Sequence, residues 1–265
     1  MAYDIKALKT RIKSVDSTFH LTKAMGLVAS SKVRRATEAM INAKSFENAL
    51  GDAMRALASC KSCQNSPYMR SEGDRTMLIV IAGDRGLAGG YNNNIFRLSR
   101  EYSSSEFIPI GKRACDKFGD GFVSCEKFSS IDADVLAEKL LVEFLNGEFD
   151  KLGIISTEYI SMMKQEPFVK WVLPIEKTDA SSSGTLFEPS EEDVFPTAVK
   201  LYVSGVIMAS VRESFASEVA ARRVAMDAAG KNAKKMIDDL TIQYNRARQG
   251  AITQEITEIV AGAGR

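Results

Sequence analysis

All six prolines of this 265-residue chain (Pro67, Pro109, Pro167, Pro174, Pro189 and Pro196) fall between residues 67 and 196, together with eleven of its eighteen glycines. Nothing obligatory therefore breaks a helix in residues 1–66 or 197–265. In the first flank Ile5, Leu8, Ile12, Val15 and Phe19 step by three and four residues. A second series runs Val33, Ala36, Met40, Ala43, Leu50, Met54 and Leu57, with Glu47 as the one polar residue in phase. Leu21, Met25 and Val28 follow another phase, which predicts two slips of the seam between residues 19 and 33. In the last flank Met226, Gly230, Ala233, Ile237, Leu240, Tyr244, Ala247 and Ala251 keep the alternation unbroken. Sustained 3/4 spacing is the coiled-coil signal, so each flank reads as one long helix with a narrow seam.

Length decides what those helices pack against. About 60 residues rising 1.5 Å each span roughly 90 Å, whereas a body of about 130 residues has a radius of gyration of only about 14 Å. The two helices are therefore expected to cover each other as an antiparallel pair and to project. The small residues Gly230, Ala233, Ala247 and Ala251 would allow close approach. Beyond the seam, Ile252, Ile256, Ile259 and Val260 form an apolar surface expected to dock on a partner.

The middle, residues 67–196, reads as an α/β domain. Thr76–Ala82 is a short continuous apolar run, as in a strand covered on both faces. It leads through Gly83-Asp-Arg-Gly-Leu-Ala-Gly-Gly90 into a helix expected from about Asn92. Phe107–Ile110, Gly121–Phe128, Lys151–Ser156 and Phe168–Ile175 read as further strands, Asp132–Asn146 as a helix, and Lys177–Gly184 as a loop. Strand and helix alternate, so the expected architecture is a Rossmann-like, doubly wound sheet with mixed edges. The expected division is a coiled-coil helix (1–66), an α/β domain (67–196) and a second coiled-coil helix (197–265).

Composition and motifs then exclude whole classes of chemistry. Lys and Arg (35) nearly cancel Asp and Glu (34), leaving +1 in total, so no uniformly basic coat for nucleic acid exists. Counted by segment the charge is uneven: 11 basic and 5 acidic in residues 1–66, 14 and 22 in 67–196, 10 and 7 in 197–265, or +6, −8 and +3. The glycines at 83, 86, 89 and 90 match neither G-x-x-x-x-G-K-[ST] nor G-x-G-x-x-G, so a tight strand-to-helix turn is expected rather than a nucleotide cradle. The single histidine, His20, lies within the first helix, and Cys60-x-x-Cys63 has no second pair at zinc spacing, Cys115 and Cys125 being ten apart. The thiols are read as free, the acidic pairs Glu191/Glu192 and Asp238/Asp239 as solvated, and no catalytic, cofactor or metal site assembles. No run of 18 apolar residues appears and MAYDIKALKTRIK lacks an h-region, so a soluble chain without a secretory leader is expected.

Three colinear segments resemble the gamma subunit of F-type ATP synthases. They are Ile5–Ala36 (IKALKTRIKSVDSTFHLTKAMGLVASSKVRRA), Ile79–Arg97 (IVIAGDRGLAGGYNNNIFR), and the stretch from Glu213 (ESFASEVAARRVAMDAAGKNAKKMIDDLTIQYNRARQGAITQEITEIVAGAG). Ala88 stands where the family usually has cysteine, and the middle is short, without the cysteine-bearing insert of the chloroplast form; Cys60-Lys-Ser-Cys63 is not that motif. The resemblance implies a non-catalytic rotor shaft. Its helical pair would fill a head of alternating alpha and beta subunits, and its α/β foot would sit with the epsilon subunit on the membrane c-ring. By position in the family motifs, Met25 in TKAMGLV and Arg222 in AARRVAM are expected where shaft meets beta, and Arg248 and Gln249 in NRARQG where a beta loop grips it. The implied location is peripheral, on the cytoplasmic face of a bacterial plasma membrane, or on the matrix face of the mitochondrial inner membrane for a processed organellar chain. Two other readings compete: a nucleotide-binding α/β enzyme with a coiled-coil appendage, and a self-dimerising adaptor coiled coil.

Overall fold

The computed structural model describes residues 5–70, 73–178 and 187–263. In chain order the elements are α1 (Ile5–Ser59), β1 (Thr76–Ile81), α2 (Tyr91–Ser99), β2 (Glu106–Ile110), α3 (Lys112–Phe118), α4 (Ser130–Leu145), β3 (Lys151–Tyr159), β4 (Gln165–Leu173) and α5 (Glu191–Ala263). Two compact units result: one holds the chain up to Ala29 and from Arg223 onward, the other Ser30–Arg222. Helices α1 and α5 contribute to both.

In the larger unit the strands are ordered β2-β1-β3-β4. β1 runs parallel to β2 and β3, and β4 returns antiparallel to β3. The apolar run of β1 buries both faces, as a central parallel strand must. Met77, Ile79 and Ile81 enter a core built with the end of α1, α4 and the first part of α5; Leu78, Val80 and the following Ala82 enter a second core with α2 and α3. The sheet is therefore the middle layer of three. The apolar start of α5 that packs here, including Phe195, Val199, Val203, Val206 and Ile207, is almost wholly buried.

Helix ends follow from capping chemistry. Ser129 opens α4 with a capping box to Asp132. Hydrogen bonds from the Ser129 hydroxyl and amide hold the Asp132 carboxyl below the usual carboxylate range. Before α5, the Ser190 hydroxyl accepts from the Asp193 amide and donates to its carboxylate, and Glu191, Glu192 and Asp193 complement the helix dipole. α5 accordingly begins at Glu191, six residues before the proline-free flank, with Pro196 inside its second turn. Glu191 is not solvated as expected: it is half-buried and its carboxylate accepts from Ser62 Oγ at 2.6 Å.

One other expectation fails. Gly121–Phe128 is not a strand; its one β-type pairing is an isolated bridge between Phe122 and Ile110, and Cys125 and Phe128 pack into the core beneath the sheet. Most of the expected loop 177–184 lies outside the described residues.

The seam of α1 does not slip. Ile5, Leu8, Ile12, Val15, Phe19, Thr22, Gly26, Ala29, Val33, Ala36, Met40, Ala43, Glu47, Leu50, Met54 and Leu57 alternate by three and four without a break, all buried or half-buried. Leu21 and Val28 are instead 60% and 59% exposed. Thr22 can take a seam place because its hydroxyl donates to the Phe19 carbonyl at 2.9 Å. Within the smaller unit, a Cβ on Gly26 would lie 3.7 Å from Met226 Cβ, and one on Gly230 3.6 Å from Thr22 Oγ1. As one number rises the other falls, so the helices are antiparallel. Within the larger unit Lys44 meets Glu213, and a Cβ on Gly205 would meet Leu50, in the same sense.

The two phases are separable by measurement. Val33→Ala is expected to destabilise the chain by about 1–2.5 kcal/mol in urea unfolding, and Val28→Ala by no more than about 0.5 kcal/mol; equal costs would restore the slipped seam.

Candidate functional site

β3 is longer than its neighbour. Its pairing with β1 ends at Ile155 opposite Val80, yet β3 continues to Tyr159. The backbone groups left without a β1 partner are met by side chains of α5. Thr157 N donates to Ser214 Oγ at 3.2 Å, Ser217 Oγ donates to Thr157 O at 3.3 Å, and Tyr159 N donates to Glu213 Oε1 at 3.2 Å. Glu213 also accepts from Lys44 Nζ at 2.9 Å, so one carboxylate joins α1, α5 and β3. Tyr91, at the start of α2, donates its hydroxyl to Ser214 O at 2.8 Å, and burial pushes that phenol well above its usual value.

The glycine loop closes on the next turn of α5. Gly83 N donates to Asn92 Oδ1 at 2.9 Å, and the loop turns through positive φ at Leu87 and Gly89. The Asp84 carboxylate accepts from Ser124 Oγ, Cys125 N and Glu126 N at 2.6, 2.8 and 3.2 Å, which draws the expected strand 121–128 into the loop instead. Glu126 in turn pairs with Lys32 of α1. On the other side Arg222 donates to the carbonyls of Arg85 and Gly86 at 3.2 and 3.3 Å and pairs with Glu218. A Cβ on Gly83 would lie 2.7 Å from Glu218 Cδ, so this close approach requires glycine. Burial raises the Glu218 carboxyl above its ordinary value, with Arg222 opposing the shift.

This arrangement occupies the place where open α/β sheets take ligands, the crevice beyond the carboxyl end of the central strand. The Arg85 and Gly86 carbonyls face the Arg222 cation, while the Gly83 amide is taken by Asn92 and the Arg85 amide by the Glu218 carboxylate, so the loop's polar groups are already engaged. A phosphate cradle needs amide N–H groups turned inward and no buried carboxylate beside them. The site is built to hold a helix.

The sequence-predicted residues fall in different places. Arg222 lies in the crevice, its side chain 13% exposed. Met25 is half-buried in the smaller unit, one position off the seam. Arg248 and Gln249 are exposed, as are Ile252, Ile256, Ile259 and Val260 at 44–67%. The seam on α5 is covered as far as Ala247, and Ala251 is exposed, contrary to the expected register. His20 is solvent-facing, 3.7 Å from Asp16. Burial pushes both Cys60 and Cys63 thiols up, and Cys63 Sγ donates to Glu191 O at 3.6 Å. Among the described residues no cluster of three or more His, Cys, Asp or Glu has metal-binding geometry.

Residues 4–264 match the family model described as ATP synthase. The ATP synthase gamma chain of Ruminococcus albus is 38% identical, the alignment covering 97% of this chain and 96% of that one. This chain belongs to the ATP synthase gamma-chain family. Another gamma chain, described as sodium ion specific, from Acetobacterium woodii, is 34% identical over 99% of both chains. The fold is shared with the Euglena gracilis mitochondrial ATP synthase structure of OSCP, F1 and c-ring, at a TM-score of 0.67 and 17% identity over 98% of this chain and 93% of that one. A chain of the Tetrahymena thermophila central stalk and c-ring structure matches at a TM-score of 0.65 and 22% identity, covering 79% and 99%.

Within this gamma-family chain the residues that sequence reasoning missed are Glu213, Ser214, Ser217, Glu218, Asp84 and Tyr91. For the four on α5 the one signal was clustered polarity, two glutamates and two serines within six residues that follow an apolar stretch, with Arg222 four beyond Glu218.

A carboxyl whose folded value is raised favours folding while protonated. The contribution of Glu218 is thus full below its unfolded value of about 4.3 and is lost as pH rises through the raised one. Glu218→Gln is expected to flatten that part of the stability–pH curve, and Glu218→Ala, which strands Arg222, to cost about 3 kcal/mol or more. Parallel pH curves for wild type and Glu218→Gln would contradict the burial.

Proposed function

We propose that this chain is the central rotor shaft of an F-type ATP synthase. It couples ion flow through a membrane c-ring to ATP synthesis, or the reverse, at a head of alternating alpha and beta subunits. The observation that carries the reading is α5: one continuous helix of 73 residues, held by side-chain hydrogen bonds to the sheet between Glu213 and Arg222 and bare from Arg248 to Ala263. A bare stretch of 16 residues extends about 24 Å, with Ile252, Ile256, Ile259 and Val260 on it. Such a surface suits insertion into an apolar sleeve of partner subunits, and excess apolar exposure on one element is otherwise a liability.

The subunit is non-catalytic in this reading: the crevice that could hold a nucleotide is filled by Glu218 and Arg222, which leaves no room for an active site there. Residues 67–196, with the helical segments packed on them, form the foot that meets the epsilon subunit and the c-ring; 1–66 and 197–265 supply the shaft. No nucleic acid is bound. The complex sits against the membrane with this chain on the cytoplasmic face of a bacterial cell, or on the matrix face in an organelle. Coupling is differential contact between the asymmetric shaft and the states of the three beta subunits, since only interactions that differ between states shift their populations. Exposed basic residues such as Arg248 make weak, exchangeable pairs of about 0–1 kcal/mol, which let the shaft turn without trapping it.

Purified chain is expected to hydrolyse no ATP and, combined with alpha and beta subunits, to give a head that rotates in one direction. ATPase activity of the isolated chain would overturn the reading. Met25→Lys, which adds a fixed charge where the family resemblance sets shaft against beta, is expected to lower ATP yield per ion translocated; an unchanged yield would remove Met25 from the coupling surface. Truncation before Ile252 is expected to weaken association with the head while circular dichroism falls only by the few turns removed.

A further inference from the structure

Rotation requires that the sheet and α5 turn as one body, and apolar packing alone is poorly suited to that. Burial of apolar surface is non-directional, so a helix lying in an apolar groove resists removal far better than it resists turning about its own axis. The first turns of α5 meet the sheet itself in this way, through Val199, Val203, Val206 and Ile207, while their polar bonds run to α4, from Ser204 to Asp134 and from Lys200 to Glu138. From Glu213 the face changes character: Glu213, Ser214, Ser217 and Glu218 are polar, between 0% and 4% exposed, and each meets a partner outside α5 or packs against the glycine loop.

We propose that the polar face of α5 from Glu213 to Arg222 is the clutch of the shaft: a set of buried, directional contacts to the end of β3 and to the glycine loop that fixes α5 in rotation and in axial position. Turning α5 by one residue's worth of twist, about 100°, or sliding it by about 1.5 Å, would take Ser214 and Ser217 off Thr157 and Glu213 off Tyr159. Thr157, Ser214 and Ser217, all buried, would then lose those hydrogen bonds, and Tyr159 would lose its carboxylate acceptor. Gly83 sets the depth of engagement, since any side chain there would hold Glu218 away. Lys44 extends the grip to α1 through Glu213, and Lys32 does so through Glu126 and Asp84. Glu218 is 1% exposed and so cannot owe its place to a partner subunit; its role is positioning, exerted through Arg222 and the loop. The proposal rests on the rotor reading above.

The test is a removable cross-link. A Cβ on Gly83 would lie 2.9 Å from Glu218 Cγ, the atom that a cysteine sulfur replaces, so Gly83→Cys with Glu218→Cys places two sulfurs within reach of a disulfide. The double variant is assembled into the complete ATP synthase in sealed vesicles, and ATP hydrolysis and ion pumping are measured together, reduced and then oxidised. Reduced, the pair lacks the carboxylate and the clutch is open: hydrolysis is expected to continue while ions pumped per ATP fall by about threefold or more. Oxidised, the covalent bond replaces the lost grip, and most of the wild-type ratio is expected to return. Glu218→Gln, which keeps the shape of the side chain, is measured beside it and is expected to show a smaller drop in the same ratio.

A reduced double variant and a Glu218→Gln complex that both pump with the wild-type ratio would overturn the clutch. So would hydrolysis and pumping that fall in parallel and do not recover on oxidation, the mark of a merely structural defect. A wild-type complex that hydrolyses ATP without pumping would overturn the rotor reading itself, and the clutch with it.

Discussion

The unpaired end of β3 is the constraint on which the arrangement depends. A strand that outruns its neighbour leaves amide and carbonyl groups that must be paired or hydrated, and buried ones cost about 1–3 kcal/mol each when they are not. Here the groups at Thr157 and Tyr159 lie under α5, and Ser214, Ser217 and Glu213 stand in for the missing residues of β1. A long helix thereby acquires a defined register on a sheet, which apolar contacts would not impose. The polar residues in the buried face of α5 are thus the price of specifying one position for it.

The glycine loop completes the same task from the other strand. Its amino-acid pattern resembles a ligand loop only superficially, because its groups are already taken: carbonyls of Arg85 and Gly86 face the Arg222 cation, and an acid, Glu218, fills the space that Gly83 leaves by having no side chain. Asp84 spends its carboxylate on Ser124, Cys125 and Glu126. One short segment therefore touches α5 directly and α1 through Glu126 and Lys32. Membership of the ATP synthase gamma-chain family gives this a use, since a rotor must carry load between a sheet-based foot and two long helices.

Much of this was legible in the sequence, for stated reasons. The absence of proline and the 3/4 spacing announced both helices, and the apolar run 76–82 announced a central strand, because each pattern follows directly from helix or strand geometry. The seam between Phe19 and Val33 was misread because Thr22 and Gly26 are not apolar. A threonine that bonds its own backbone and a glycine in a tight antiparallel contact serve the seam as well as a leucine, and counting apolar residues cannot see them. Pro196 hid the true start of α5, where Ser190 caps the helix and overrides the break. Gly121–Phe128 carried strand composition but was captured by Asp84, a tertiary contact 40 residues away in the chain that no local pattern reports. The grip of Glu213 and Glu218 was invisible for the same reason: their partners come from β3, α1 and the loop.

Amide hydrogen exchange at Thr157 and Tyr159 in the full-length chain tests the central claim most directly. If the side chains of α5 close the end of β3, both amides are protected to the same degree as Ile154, which is paired within the sheet, and Ser214→Ala releases Thr157 while leaving Ile154 unchanged. Exchange at Thr157 and Tyr159 in the wild-type chain as fast as in an exposed loop would contradict it.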